Sequence, residues 1–404
     1  MNSPEQHQDL KTRALNYHEF PRPGKLSVES TKPCVTADDL SLAYTPGVAE
    51  PVKEIAADAT NAYKYTNKGN LVAVITDGTA VLGLGNVGSL ASKPVMEGKA
   101  ILFKQFANVD VFDIEVTAPS VESFIETVVN ISPTFGGINL EDIAAPHCFR
   151  IERELRERLN IPVFHDDQHG TAVVICAALI NALELQNKIL STVEIVFLGA
   201  GAAGMATARM LRAMGAKHIT MVNRKGVIHT ERTDIHEEVQ DLVRDTPHRT
   251  LADAMAGADV FIGVSAANTL DAELLKSMAE NPVVFALANP DPEILPAIAH
   301  SIRDDLIMAT GRSDFPNQVN NALCFPYLFR GALDAQATQI TQKMQIAAVY
   351  ALAELAREPI PDDVLAAYNL EELSFGKSYI IPKPFDPRLL SRVSSAVEQA
   401  ARDN

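Results

Sequence analysis

A glycine-rich loop constrains the fold of this chain more than any other feature of its sequence. Residues 199–204 (GAGAAG) directly follow a strand-like run at 194–198 and open a helical pattern. Gly199 permits a tight turn, Gly201 lets a pyrophosphate approach the backbone, and Gly204 allows close packing of helix on strand. The helix N-terminus then offers unpaired N–H groups to the phosphates. The loop predicts a dinucleotide-binding unit, and the alternative is a plain packing turn.

The residues about twenty positions beyond this loop bear on which dinucleotide binds. Sites for NAD commonly carry an acidic residue there, which binds the adenosine ribose. This chain has Asn223 instead, followed by Arg224 and Lys225. Asparagine does not repel a 2′-phosphate and the two cations could hold one, so the pattern favours NADP over NAD. The alternative is a solvated basic turn.

Strand-like and helix-like runs alternate along most of the chain, a pattern that predicts mainly parallel α/β sheets. We expect strands at 71–76, 109–116, 137–140, 161–164, 194–198, 218–222, 259–264, 283–286 and 306–309. We expect helices from about 121, at 171–185, and at 205–214, 251–256 and 271–280. The first seventy residues look irregular, apart from a polar helical start.

This succession predicts an α/β protein with two domains and a helical tail. We expect residues 1–165 to form an N-terminal α/β domain that carries the catalytic candidates. Residues 166–335 would form a Rossmann-type, doubly wound NAD(P)-binding domain, and residues 336–404 a helical C-terminal segment that packs back on the N-terminal domain. Ligands of such sheets bind beyond the carboxyl ends of the strands.

The charge balance and the cysteines exclude several classes of protein. The 404 residues include 35 Lys and Arg against 51 Asp and Glu, a formal net charge of −16, which disfavours binding to nucleic acid or an anionic membrane. The longest apolar run, 172–180, is too short to span a bilayer, and the start, 1–6 (MNSPEQ), lacks a signal-peptide pattern. The four cysteines include no CxxC pair, which fits a reducing cytoplasm.

Acidic residues gather where two of the expected strands end. Glu141 and Asp142 follow one strand, and Asp166 and Asp167 follow the next. Carboxylates are the ligands that Mg²⁺ and Mn²⁺ prefer, although acidic pairs at strand ends are often helix caps. Two histidines flank the second pair, but no third nitrogen or sulfur ligand accompanies them, so we interpret them as hydrogen-bonding residues rather than zinc ligands.

Two residues are candidates for proton transfer, and each has a structural alternative. Tyr44 lies in a turn that could present its phenol to a cleft, but it could equally be a core or interface tyrosine. Lys99 begins an apolar run; near a metal and partly desolvated, its pKa would be lowered, yet it could be a snorkelling lysine. Loops containing Asn289 and Asn321 follow late strands, where amides could bind a carboxylate or nicotinamide, or simply form turns.

Together these segments resemble malic enzyme in its short bacterial form. The resemblance rests on eight motifs in order, which span nearly the whole chain: YTPGVA (44–49), TDGTAVLGLG (76–85), PVMEGK (94–99), NLED (139–142), FHDDQHGTA (164–172), the glycine loop, ANP (288–290) and IIPKPFD (380–386). Eight ordered motifs are far more specific than any one of them.

The resemblance implies oxidative decarboxylation of (S)-malate to pyruvate and CO₂, with reduction of NAD(P)⁺ and a need for Mg²⁺ or Mn²⁺. It implies that a homodimer or higher homo-oligomer forms. It also implies that Glu141, Asp142 and Asp167 would hold the metal. Lys99, aided by Asp166, would be the base at the C2 hydroxyl of malate, and Tyr44 would protonate C3. Thr45, Asn289 and Asn321 would orient substrate and nicotinamide.

The sequence also departs from the family pattern and leaves other functions open. Larger malic enzymes carry a substrate-binding arginine where this chain has Ala80. The second carboxylate of malate would therefore need other donors, and the candidates are the hydroxyls of Thr45 and Thr79 and backbone amides. Because the sequence ends at Asn404 without the phosphotransacetylase-like extension of some relatives, we expect no acetyl-CoA regulation. The alternatives are an oxaloacetate decarboxylase, a malolactic-type enzyme and a non-catalytic nucleotide sensor.

Overall fold

A four-stranded parallel sheet forms the centre of the N-terminal half of the chain. The computed structural model describes residues 9–403, so the expectation about residues 1–6 lies outside the described residues. The spatial order is β2-β1-β3-β4, where the strands are β1 (Leu71–Thr76), β2 (Asp110–Glu115), β3 (Gly137–Leu140) and β4 (Val163–His165). Both β1 and β3 are buried throughout, as expected for central parallel strands with apolar sequences.

A six-stranded sheet forms the centre of the second half. Its order is β10-β9-β8-β5-β6-β7, where the strands are β5 (Glu194–Leu198), β6 (His218–Asn223), β7 (Gly226–Val227), β8 (Val260–Gly263), β9 (Val283–Ala286) and β10 (Ile307–Thr310). All neighbours are parallel except β7, which forms a short hairpin with β6. The chain order reverses between β5 and β8, which is where a doubly wound sheet binds its ligand. The predicted α/β class with a Rossmann-type unit is confirmed.

The helices pack around these two sheets. Within residues 9–403 they are α1 (Leu10–Glu19), α2 (Ala37–Ala43), α3 (Ala49–Ala57), α4 (Ala62–Tyr65), α5 (Ser89–Ala107), α6 (Val121–Ile131), α7 (His147–Arg158), α8 (Thr171–Leu185), α9 (Ala202–Ala213), α10 (Leu251–Met255), α11 (Ala272–Ser277), α12 (Pro296–Ile302), α13 (Phe325–Asp334), α14 (Gln342–Leu355), α15 (Asp362–Ala367) and α16 (Arg388–Arg402). Ordinary capping defines several ends: the Ser120 hydroxyl accepts from the backbone N–H of Ser123 at the start of α6, and α5 ends at Asn108 in the left-handed conformation.

The polar helical start is confirmed by α1, but the expectation that the rest of the first seventy residues is irregular was wrong. Helices α1 to α4 occupy much of this segment, but none of them buries a residue. A helix without a buried face leaves no clear apolar periodicity, which is the signal that sequence reasoning needs.

Helix α8 is the central helix of the molecule. It continues a short π-helical segment, Asp166–Gly170, and together they are long and apolar enough to cross a membrane. However, 72% of the most apolar window is buried inside the protein, so this is a core helix.

The C-terminal helices cover one side of this core. Helix α16 packs on α13 and α14, and α14 packs on α8. Helix α13 in turn contacts α5 of the first half, where the ring of Phe103 lies 4.8 Å from Phe325 and 5.4 Å from Phe329, measured between centroids. Through α13, the tail is therefore connected to the N-terminal sheet.

Candidate active site

Three carboxylates meet at the carboxyl ends of β3 and β4. Glu141 and Asp142 follow β3, and Asp167 follows β4; because these strands are parallel neighbours, their ends lie side by side. One oxygen from each carboxylate lies within 4.8 Å of the others. The backbone N–H of Asp142 donates to Asp167 Oδ2 at 2.9 Å, which ties the two loops together.

Lys99 reaches this cluster from the middle of α5. Its Nζ donates to Asp166 and lies 2.9 Å from Glu141 Oε1, and it also lies 4.4 Å from the centroid of the Phe325 ring. Burial alone would lower the pKa of Lys99, but Asp166 and Glu141 outweigh burial and raise the pKa above its ordinary value. The lowered pKa that we expected assumed a bound cation beside the lysine, so it stays a prediction.

The chemistry of the cluster fits a divalent cation. Glu141, Asp142 and Asp166 are almost fully buried. In the part of the chain that the structure describes, Asp142 Oδ2 and Asp166 Oδ1 are buried without a hydrogen-bond partner, which is costly in a protein interior. Burial raises the pKa of Asp142 to about 7 and that of Asp166 to about 6, and raises the pKa of Glu141 as well. Four carboxylates with one lysine leave an excess of negative charge that Mg²⁺ or Mn²⁺ would neutralise through oxygen ligands.

The two histidines beside the cluster serve other purposes. His169 Nε2 lies 2.8 Å from Glu152 Oε1, so it is a hydrogen-bonding residue, as expected. His165 is completely buried and burial lowers its pKa. Its Nδ1 lies 4.0 Å from Asp167 Oδ2, but neither ring nitrogen has a hydrogen-bond partner in the described part of the chain, so the interpretation of His165 as a hydrogen-bonding residue was wrong. Among the described residues, the group with metal-binding geometry contains carboxylates alone.

The loop after β1 borders the cluster without supplying a cation. The backbone N–H of Ala80 donates to Asp142 O at 2.9 Å. The hydroxyl of Thr79 donates its proton to Asp77 Oδ1 at 2.6 Å and accepts from the backbone N–H of Ala144. With its one proton engaged, Thr79 is not a suitable donor to a substrate carboxylate, contrary to our expectation.

Tyr44 and Thr45 are both exposed in this chain. They follow α2, and the Tyr44 side chain is 69% exposed. Among the residues that the structure describes, no hydrogen bond or ring contact joins either side chain to the site around Lys99.

The glycine loop has the geometry that dinucleotide binding requires. Gly199 has φ = +122°, and a Cβ there would lie 2.7 Å from Val264 O. A Cβ on Gly204 would lie 2.2 Å from Gly199 O, so close packing excludes any larger residue. In contrast, no atom lies within 4 Å of a Cβ built on Gly201, which therefore faces open space.

The end of β6 lies beside this loop, because the backbone N–H of Gly199 donates to Val222 O at 2.9 Å. Asn223 ends the strand, and Arg224 follows with an exposed side chain. Sequence reasoning missed Arg232, which lies nine residues beyond Asn223 and whose Nη1 donates to Asn223 Oδ1 at 3.0 Å.

The two asparagine loops lie at the same ends of the sheets. Asn289 follows β9, and its Nδ2 donates to Leu287 O at 3.3 Å. Asn321 lies next to Gly170, which belongs to the same π-helical segment as Asp166. A Cβ built on Gly170 would lie 3.4 Å from the Cβ of Asn321. Sequence reasoning also missed the fully buried Glu293.

Glu293 connects the loops that follow β8 and β9. Its Oε1 accepts from the backbone N–H of Ser265 and its Oε2 from that of Ala288, each at 3.0 Å. The Asn289 loop is therefore attached to the loop that packs against Gly199. This hydrogen bond could not be predicted from the sequence because Ser265 and Glu293 lie far apart along the chain.

Comparison with known proteins supports the same interpretation. The family model "Malic enzyme, N-terminal domain" matches residues 23–120 and 117–156. The family model "Malic enzyme, NAD binding domain" matches residues 168–369. An NADP-dependent malic enzyme of Halomonas elongata is 60% identical over 97% of this chain and 93% of its own length. The NADP-dependent malic enzyme of Escherichia coli is 56% identical over 98% of this chain, which spans only 53% of that protein.

A solved structure shows the same architecture over both halves. The NAD-dependent malic enzyme of Thermotoga maritima superposes with a TM-score of 0.88 at 43% identity, over 97% of this chain and 99% of the other. The resemblance found in the motifs is thereby confirmed over the full length of the described fold. The chain belongs to the malic enzyme family.

Proposed function

We propose that this protein oxidatively decarboxylates (S)-malate to pyruvate and CO₂ while reducing NADP⁺, with Mg²⁺ or Mn²⁺ bound. The observation that carries the proposal is the set of buried carboxylates around Lys99 in a chain that also carries a dinucleotide-binding glycine loop. The similarity to two NADP-dependent malic enzymes supports the reaction and the preference for NADP.

Glu141, Asp142 and Asp167 would hold the divalent cation. A bound cation would act as a Lewis acid on the oxygen at C2. The unpartnered Asp142 Oδ2 supports its role as a ligand.

Lys99 and Asp166 would move the hydroxyl proton. As hydride leaves C2 for the nicotinamide, Lys99 Nζ would take up the proton of the C2 hydroxyl after passing one of its own protons to Asp166, to which it is hydrogen-bonded. The raised pKa of Asp166 makes it able to share that proton. After CO₂ departs, Tyr44 would return a proton to C3.

The remaining predicted residues would bind cofactor and substrate. Gly199, Gly201 and Gly204 would shape the pyrophosphate site, with Asn223 and Arg224 near the adenosine ribose. Asn289 and Asn321 would orient nicotinamide and substrate, and Thr45 remains a candidate for the second carboxylate.

We also propose that the protein is a cytoplasmic homodimer, in which α1 to α4 contact a second copy. These helices bury no residue within one chain, yet they expose an unusual number of large apolar side chains. They include Leu10, Leu15, Leu40, Leu42 and Val52. The free cysteines agree with a reducing compartment.

We also propose that the domains span residues 1–165, 166–335 and 336–404.

A product assay tests the proposed reaction. With malate, Mn²⁺ and NADP⁺, the purified protein should form NADPH and pyruvate in equal amounts. Lactate without net cofactor reduction would indicate a malolactic-type enzyme. Pyruvate formed from oxaloacetate, with no cofactor reduction from malate, would indicate a decarboxylase alone. Nucleotide binding without any turnover would instead favour a sensor.

A further inference from the structure

The amide of Asn223 is held in one orientation at the end of β6. Its Oδ1 accepts from the backbone N–H of Lys225 at 2.9 Å and from Arg232 Nη1 at 3.0 Å. The Nδ2 group has no acceptor among residues 9–403. Because the oxygen is engaged by two donors, Asn223 offers a ligand its NH₂ group and not its carbonyl.

Arg232 is itself fixed and therefore acts through Asn223. Its side chain is only 10% exposed. Its Nε and Nη2 donate to the two oxygens of Asp234 at 2.8 and 3.0 Å, a bidentate pair, and Nη1 also donates to Val227 O at 3.2 Å. These contacts hold the guanidinium against β7.

The charges around Asn223 are positive although the chain as a whole is acidic. Of the three cations Arg224, Lys225 and Arg232, the last two pair with Asp234, whose oxygens lie 2.7 Å from Lys225 Nζ and 2.8 Å from Arg232 Nε. Arg224 is exposed and has no ion-pair partner in the described part of the chain. The other nearby acid, Glu231, is paired with Arg249.

A donor group with adjacent cations fits a phosphate better than a hydroxyl. The 2′-hydroxyl of NAD is usually recognised by a carboxylate that accepts its proton. Here Arg232 occupies the one side-chain oxygen of Asn223 that could accept that proton. The 2′-phosphate of NADP has only acceptor oxygens, so it matches the NH₂ group and Arg224.

We propose that Arg232 is a positioning residue that sets the preference for NADP over NAD by holding the Asn223 amide with its NH₂ group towards the cofactor. This inference rests on the proposed function, because it assumes that the adenosine end of the cofactor lies beyond β6. It adds the residue and the physical cause of the discrimination.

Calorimetric binding to the whole protein tests this role without turnover. The ligands are NADP⁺, NAD⁺ and the fragment 2′,5′-ADP. Arg232→Met should weaken the binding of NADP⁺ and of 2′,5′-ADP roughly 10-fold or more, which is the loss expected for one hydrogen bond to a charged group. The binding of NAD⁺ should change little. Arg244→Met is the matched control, because Arg244 pairs with Glu194 at the other end of the sheet. This variant should leave the ratio of the dissociation constants for NADP⁺ and NAD⁺ unchanged.

A second variant guards against misfolding of Arg232→Met. Asn223→Asp keeps the partner of Arg232 but supplies a free acceptor oxygen, so it should bind NAD⁺ more tightly and NADP⁺ less tightly than the wild type. A wild-type protein without NADP preference would overturn the proposed cofactor as well. If the wild type prefers NADP and both variants, folded, keep its ratio of dissociation constants, the role of Arg232 alone is overturned.

Discussion

A single lysine set among four carboxylates is the residue on which the proposed chemistry depends most. Lys99 is 9% exposed and contacts Asp166 and Glu141, so its ammonium group offsets part of the negative charge of the site and connects it to α5. The arrangement places a proton carrier directly beside the proposed cation ligands.

Replacing this lysine tests its role. Lys99→Ala should lower kcat by about 10²–10⁴-fold, the usual contribution of a positioned acid or base. The dissociation constant for NADPH, measured by its fluorescence, should change little because the glycine loop is untouched. Lys104→Ala, at an exposed lysine of the same helix, is the control and should behave as wild type. Near-normal turnover of Lys99→Ala would refute the assignment.

The raised carboxyl pKa values predict how cation binding depends on pH. Burial raises the pKa of Asp142 to about 7, so the folded protein keeps this proton to a higher pH than the unfolded chain, and the cation-free protein loses stability as pH rises towards 7. A cation must displace the proton at low pH but not above pH 7.

Mn²⁺ should therefore raise the melting temperature more at pH 8 than at pH 5.5, as measured by scanning calorimetry. Asp142→Asn should give a smaller increase at pH 8 because one ligand charge is lost. An increase at pH 5.5 equal to or larger than that at pH 8 would contradict the assigned ligands.

Single residues could be predicted from sequence where a short motif places them. Glu141 directly follows β3 and Asp167 comes two residues after the end of β4, and adjacent parallel strands bring their ends together. Arg232 and Glu293 could not be found this way, because their partners, Asn223 and Ser265, lie nine and 28 residues away. Contacts of that kind depend on how loops fold over a sheet edge.

At the scale of elements, the turn from β5 into α9 separates packing from ligand binding. Gly204 has no room for a side chain, whereas Gly201 has. Gly204→Ala should lower the melting temperature, because the added methyl meets the backbone of Gly199.

Gly201→Ala should melt close to wild type but bind NADP⁺ more weakly, because its methyl enters the space for the pyrophosphate. The two variants, compared by melting temperature and calorimetric affinity, are controls for each other. Unchanged affinity in a folded Gly201→Ala would show that the cofactor does not approach this loop.

Buried strands were predicted from sequence more accurately than exposed helices. Five strands, β1, β3, β5, β6 and β9, begin at the residue that the sequence predicted. The two-residue strand β7 is too short for a pattern, and α1 to α4 lack a buried face. Burial on both faces gives a continuous apolar run, and its absence removes the signal.

At the scale of the whole molecule, the exposed apolar side chains of α1 to α4 are best explained by a second copy. Leu42 is 69% exposed on α2. Leu42→Glu should shift the protein towards monomers in analytical ultracentrifugation, since it places a charge in the proposed interface. Ile189→Glu, at a residue 66% exposed in the loop after α8, is the control and should stay dimeric. A monomeric wild type would contradict the proposed dimer.

The central claim is that one divalent cation, held by Glu141, Asp142 and Asp167, is required for malate oxidation. The most direct measurement titrates metal-free protein with Mn²⁺ and follows bound Mn²⁺ by electron paramagnetic resonance and NADPH formation from malate in the same samples. We predict that activity rises in proportion to bound Mn²⁺ and saturates at one ion per chain. Full NADPH formation before any Mn²⁺ is bound would contradict the account.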